Sequence, residues 1–227
     1  MNQNQLKKTN IFLLVCAALC LVCYDIFGGL WLKGVTSGWF VLLGSVNLLA
    51  ARKLKGKQLR FFILMEAGLF CGMCADVLLG IAFFAGVGVF ALGHVLYFIA
   101  FCTLEKFCLR DLKIMIPLAL LSIFLVTGTP WINVTDPLLQ KLIPIYAVII
   151  SMMLGKALGN LIRCPSLFRW LLAVGSLLFW FSDLILAVDM FGQSSRLTWI
   201  LCSYAYWPAQ NILAHALYHA VYPSCKD

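Results

Sequence analysis

The chain has 227 residues, of which 63% are hydrophobic and only 11% charged, with a net charge of +8. Soluble domains carry about a quarter charged residues, so a soluble fold is excluded. The apolar residues recur in runs of about 20 along the whole chain, the pattern of a polytopic helical membrane protein and not of a membrane β-barrel, whose segments are short and alternating. The positive charge does not point to nucleic acid, because the basic residues form short clusters between apolar runs, where they set topology. Most of the ten cysteines lie inside those runs and read as small buried hydrophobes, with no disulfide scaffold.

The fold class predicted is all-α, with eight transmembrane helices in a single membrane domain covering residues 1–227. The first span is expected over 10–31. Its apolar run is too long for a signal-peptide core, and no small-residue cleavage site closes it. The second span, 37–51, is short, and Asn47 within it should face the bundle, since an amide facing hydrocarbon lacks partners. Residues 52–60, RKLKGKQLR, hold five positive charges. The third span, 61–80, carries Glu66 and Asp76. The uncharged stretch IAFFAGVG is read as a loop, and the fourth span, 88–104, carries His94 and Tyr97.

After the charged segment EKFCLRDLK, the fifth span runs over 114–126 and ends in the turn-rich TGTPWINVTDP. The sixth span, 138–158, has Pro144 near its start, where a kink is expected. Lys156, Arg163 and Arg169 are assigned to the connection that follows. The seventh span, 168–191, contains FWFSDLILA, with Ser182 and Asp183 inside a long apolar run. The eighth span, 197–221, carries Tyr206 and Gln210 and leads to the tail PSCKD. With eight spans, 14 of the 17 Lys and Arg residues fall on one side. The positive-inside rule places both termini in the cytoplasm of a multi-pass protein, in a bacterial inner membrane or a eukaryotic endomembrane.

An intramembrane carboxylate is a functional-site candidate by default. Asp76 and Asp183 enter their spans from the cytoplasmic side to similar depths, about 20–25 Å at helical rise. His94 with Tyr97 (i, i+3) and Tyr206 with Gln210 (i, i+4) enter from the opposite side, each pair on one helix face. All six residues are therefore expected in one polar layer in the non-cytoplasmic half. ADVLLG followed by HVLY also echoes SDLILA followed by YWPAQ four spans later. A parallel duplication of four helices, giving two four-helix repeats, would explain the echo.

These blocks carry a resemblance. CADVLLG, FFAGVGVFALGHVLY, LLFWFSDLILAVDMF and YAYWPAQNILA resemble the corresponding segments of the lysoplasmalogenase, or YhhN-type, family of integral membrane proteins. Asp76, His94, Tyr97, Ser182, Asp183, Asp189, Tyr206 and Gln210 fall in matching places. One departure is that VLLGSVNLLA, read as the second span, has no lysine where many relatives carry a lysine–proline segment. The resemblance implies hydrolysis of the alkenyl ether bond of a lysoplasmalogen, giving a fatty aldehyde and a glycerophospho-ethanolamine or -choline, with no cofactor. The partners implied are this single-chain lipid and the bilayer, and a site opening sideways to lipid would suit it.

The chemistry fits paired aspartates. Protonation of a vinyl ether at its β-carbon gives an oxocarbenium ion, which water captures. The step needs an acid, a nearby anion and a proton acceptor, which two unequal carboxyl groups supply. Asp183, beside Phe179, Trp180 and Phe181, is assigned as the proton donor. Asp76 is assigned as the ionised partner, held by His94 and Tyr97. Ser182 and Asp189 are orienting or substrate-binding candidates, although Asp189 near the interface also reads as a cap. Glu66 matches no motif and reads equally as a helix–helix contact.

His215 and His219 have the i, i+4 spacing of metal ligands, but lie nearer the cytoplasm than His94, so no metal site is assigned. A proton-coupled transporter is the alternative that buried acids allow. Against it, a mid-span proline is read in the sixth span alone, and the cytoplasmic half reads as apolar. A non-catalytic lipid binder is the third reading.

Overall fold

The structure, a computed structural model, describes residues 2–222, and the tail expected on the cytoplasmic side lies outside the described residues. The described residues form eight helices and no strand. They are α1 (Gln3–Phe27), α2 (Leu30–Ala50), α3 (Lys57–Ile81), α4 (Phe83–Leu104), α5 (Leu109–Thr127), α6 (Pro137–Arg163), α7 (Leu167–Phe191) and α8 (Arg196–Val221). Short polar side chains set several starts by accepting bonds from otherwise unpaired backbone N–H groups. Asn2 caps α1, Asp136 caps α6 ahead of Pro137, Ser166 caps α7 and Ser195 caps α8.

Six helices are long and apolar enough to cross a membrane, so this is a multi-pass helical membrane protein. The other two are α5, whose first turns hold Arg110, Asp111 and Lys113, and α8, which carries His215, Asn211 and Gln210. Much of α8 is buried among α1, α2, α3 and α7, so it needs little lipid-facing hydrocarbon.

The bundle has two chemically distinct ends. At the basic end, Phe61 of α3 meets Phe168 of α7, and Arg169 pairs with Glu105 at 2.9 Å. At the opposite end, Phe83 of α4 meets Phe191 of α7, and Arg196 pairs with Asp25. Helices adjacent in sequence pack on each other except α4 and α5; α4 packs instead on α6, and α8 also packs on α2. Among the described residues, the backbone of α7 does not come close to that of α3 or α4, and they meet only through side chains. The gap between them, bridged by aromatic side chains, is where the site lies.

Several boundaries differ from expectation. The chain breaks at Gly28-Gly29, so α1 ends at Phe27 and α2 begins at Leu30, seven residues before the predicted start of the second span. Lys33 is therefore inside α2, and the apparent lack of a lysine in this helix is corrected. The loop expected over IAFFAGVG shrinks to a break at Ala82. Prolines lie inside three helices, at Pro117, Pro144 and Pro208, and not in the sixth alone.

Nor is the basic half simply apolar. Lys156, expected in a connection, is fully buried in α6, where it donates to Asp111 (2.9 Å) and to the Lys106 carbonyl (3.2 Å). Asn10 and Asn47 bond each other reciprocally at 3.0 Å, with His215 at 3.1 Å from Asn10. Asn47 faces the bundle as expected, and also donates to the Ala214 carbonyl. Glu66 accepts from Ser45 at 2.6 Å, tying α3 to α2. Most of these groups satisfy one another within the bundle, as membrane burial demands, while Glu66 Oε2 is buried without a partner among the described residues.

Candidate functional site

Asp76 is positioned by one stripe of α3. Gly68, Gly72 and Asp76 lie four residues apart on the same helix face. A Cβ at Gly68 would stand 2.6 Å from the Tyr97 ring, and one at Gly72 2.5 Å from Gln210 Nε2. The two glycines thus admit the side chains that support the aspartate, and the approach is too close for any larger residue. Tyr97 donates to Gln210 Oε1 at 2.8 Å, and Gln210 Nε2 lies 3.5 Å from the Tyr206 hydroxyl. Tyr206 in turn donates to Asp76 Oδ2 at 2.7 Å. The same oxygen accepts from Ser37 at 2.5 Å, and Ser37 is fixed by the Trp207 indole N–H at 3.1 Å. Lys33 stands 3.8 Å from Asp76 Oδ1.

Asp183 has a separate set of partners. Tyr146 of α6 donates to its Oδ2 at 2.5 Å, and His94 Nε2 lies 3.1 Å from the same oxygen and 2.9 Å from the Tyr146 hydroxyl. His94 is completely buried, with Nδ1 3.4 Å from Met153 Sδ and its ring 4.5 Å from that of Phe179. Phe179 also meets Tyr206 and Tyr97, and so joins the two aspartate clusters by ring contacts. Both bonds fall on Asp183 Oδ2. Oδ1 has no hydrogen-bond partner among the described residues.

The structure brings the two aspartates onto one polar cavity of about 90 Å³, lined also by Lys33, Ser182, Asp189 and Tyr206. Five of the eight sequence-predicted residues thus line this cavity, His94 and Gln210 lie one hydrogen bond behind it, and Tyr97 lies two behind, through Gln210. Three roles are revised. His94 holds Asp183 and not Asp76, because α4 faces α6 at this level. Ser182 donates to the Phe179 carbonyl at 2.7 Å, a bond within its own helix. Asp189 accepts from Ser194 at 2.9 Å and Thr198 at 2.5 Å, so it clasps the α7–α8 turn while forming part of the cavity rim.

Sequence reasoning missed Lys33, Ser37, Tyr146 and Trp207. Lys33 was lost with the misplaced start of the second span, whereas Ser37, its first residue, was passed over as an ordinary small polar side chain. Tyr146 had a signal: it is the lone hydroxyl in LIPIYAVII, and a phenol in an apolar helix needs a partner. Elsewhere, among the described residues, no three His, Cys, Asp or Glu side chains are grouped to hold a metal ion.

The sequence model of the YhhN family matches residues 37–217, so the chain belongs to this family. No curated protein and no solved structure shows a significant match.

Proposed function

We propose that this YhhN family member hydrolyses the alkenyl ether bond of a lysoplasmalogen through Asp183 and Asp76. The observation that carries the reading is the unequal setting of two carboxyl groups on one polar cavity. Asp76 has an ammonium at 3.8 Å, whereas Asp183 has only a phenol and an imidazole within hydrogen-bonding range. Asp76 is accordingly the resident anion and Asp183 the acid. Oδ2 of Asp183 accepts from Tyr146 and lies against His94 Nε2, which leaves Oδ1 as the oxygen that delivers the proton.

Transfer of that proton to the β-carbon of the vinyl ether leaves an oxocarbenium ion, which the Asp76 carboxylate stabilises. Tyr146 and His94 hold the Asp183 carboxylate that results. Water then adds to the carbon bonded to the ether oxygen and loses a proton to a carboxylate. The hemiacetal collapses to a fatty aldehyde and the glycerol hydroxyl. No redox step or leaving group beyond the alcohol is needed. Lys33, on the cavity wall, is placed to meet the phosphate of the head group.

The same reading takes all eight helices as membrane crossings, with the basic end and both termini in the cytoplasm. The α3–α4 and α7–α8 hairpins, each contributing one aspartate, then derive from a duplication. A transporter would need a path through both halves. Most polar groups of the basic half are instead bonded to one another, and both cavities that border Asp183 lie on the opposite side of the bundle. The test is aldehyde release by purified protein in detergent from an alkenyl lysophospholipid, with an acyl ester lysolipid beside it. Release from the ester alone, or from neither, rejects the proposal.

A further inference from the structure

Asp183 borders a second cavity. This one, of about 80 Å³, lies between α4, α6 and α7, and its wall is hydrocarbon with few exceptions. Leu79, Phe90, Leu186 and Asp183 line both cavities and form the partition between them. Across it stand Lys33, Asp76 and Asp189 on one side, and Leu142, Ile143 and Ala187 on the other.

Apart from Asp183 Oδ1 on the partition, the polar side chains of the apolar cavity are already bonded. Tyr146 donates to Asp183, and the Trp180 indole donates to Ser122 at 2.8 Å, closing the deep end. A water needs two to four polar partners, and one free carboxyl oxygen does not supply them, so the cavity holds water poorly. Along α7 the lining runs from Trp180 to Phe191, about 16 Å at helical rise. Its far end reaches the surface at Met190, which is 45% exposed.

We propose that this apolar cavity seats the hydrocarbon chain of the substrate, which leaves Asp183 along α7 past Ala187 toward Met190, while the glycerophosphate end occupies the polar cavity. The inference rests on the hydrolase reading. In an alkenyl lysolipid the polarity changes at the ether bond, and in this bundle it changes at the partition bearing Asp183. The two line up only if the bond to be cleaved lies across that partition. A chain arriving from the bilayer gains little from entering another apolar environment. The cavity therefore acts through shape, fixing the β-carbon against Oδ1, and not through affinity.

The test combines a variant with a label. Ala187 faces the apolar cavity alone, four residues beyond Asp183, so a phenylalanine there obstructs a long chain but not one too short to reach it. In Ala187→Phe the ratio of long-chain to short-chain turnover should fall at least tenfold, with the smaller Ala187→Leu intermediate should the larger side chain disturb folding.

Independently, a non-hydrolysable alkyl ether lysophospholipid with a diazirine in its chain should label Ile143, Ala147 or Leu184 in the parent protein, and less so in Ala187→Phe. An unchanged chain-length ratio, or adducts confined to outward-facing residues such as Phe12 and Phe70, overturns the chain seat. Labelling inside the cavity by a protein that releases no aldehyde keeps the seat and removes the hydrolase reading. Aldehyde release without such labelling does the reverse.

Discussion

The Asp183 cluster gives the sharpest prediction, because its two supports and its proton can be removed separately. Asp183→Asn keeps the shape of the side chain and an acceptor oxygen for Tyr146, but removes the transferable proton. Loss of a general acid costs on the order of 10²–10⁴-fold in turnover. Tyr146→Phe leaves the acid and removes the 2.5 Å bond that stabilises the carboxylate formed on proton transfer. A hydrogen bond to a charged group contributes about 1.5–3 kcal/mol. At about 1.4 kcal/mol per tenfold, the expected loss is roughly 10–100-fold. The double variant should then be no worse than Asp183→Asn alone, since a phenol that acts only through the carboxylate has nothing left to stabilise.

The assay is aldehyde release by monodisperse proteins in detergent, with lysoplasmalogen binding measured on the same preparations. Near-full turnover in Asp183→Asn refutes the mechanism. A loss explained by weaker binding or unfolding makes Asp183 a structural residue. Additive losses in the double variant would show that Tyr146 acts by another route.

Three further outcomes are expected. Asp76→Asn should also lower turnover by at least ~10²-fold, whereas Lys33→Met should raise KM for the phospholipid more than it lowers kcat. A Lys33→Met variant with unchanged KM would remove the phosphate contact from the reading. Asp111→Ala strips Lys156 of its buried partner, a change that costs about 3–5 kcal/mol, so thermal unfolding should occur well below that of the parent while aldehyde release per folded molecule persists. Unaltered unfolding would mean that the Lys156–Asp111 pair does not stabilise the bundle. In a cysteine-free background, Lys57→Cys should be labelled only from the cytoplasm and Gln193→Cys only from the other side. Labelling of both from one side rejects eight crossings.

The helices were legible in the sequence because burial in lipid leaves a large compositional trace: about 20 apolar residues per crossing, separated by charge. What failed was the boundary that hydropathy cannot see. Lys33, Gly34 and Thr36 lower the apolar score of the first turns of α2, so a hydropathy reading starts the span only at Ser37. In the bundle these turns are helical, with Lys33 against Asp76 and Thr36 against Cys20 and not lipid. The polarity that marks a functional helix face is the same polarity that erases it from a hydropathy reading. Lys156 was assigned to a connection for this reason as well, although α6 buries it completely against Asp111.

The aspartates were legible for the opposite reason, since an acid inside an apolar run has no bland explanation at the level of composition. Depth along each helix could be counted from the sequence, which brought Asp76, His94, Asp183 and Tyr206 into one layer. Rotation about each helix axis could not, because it depends on which neighbours pack on which face. His94 therefore went to the wrong aspartate. It faces α6 and α7, where Tyr146 and Asp183 wait, while the Asp76 side of the site is completed from α2 and α8. Depth follows from a rise of 1.5 Å per residue alone. Partner choice here follows from Gly68 and Gly72, which let Tyr97 and Gln210 approach α3, and from Phe179, whose ring lies between the two clusters. Filling Gly72 with a methyl group would push Gln210 away from Tyr206 and loosen Asp76 without touching Asp183. Asp76 and Asp183 thus rest on separate hydrogen-bond networks, joined through the Phe179 ring.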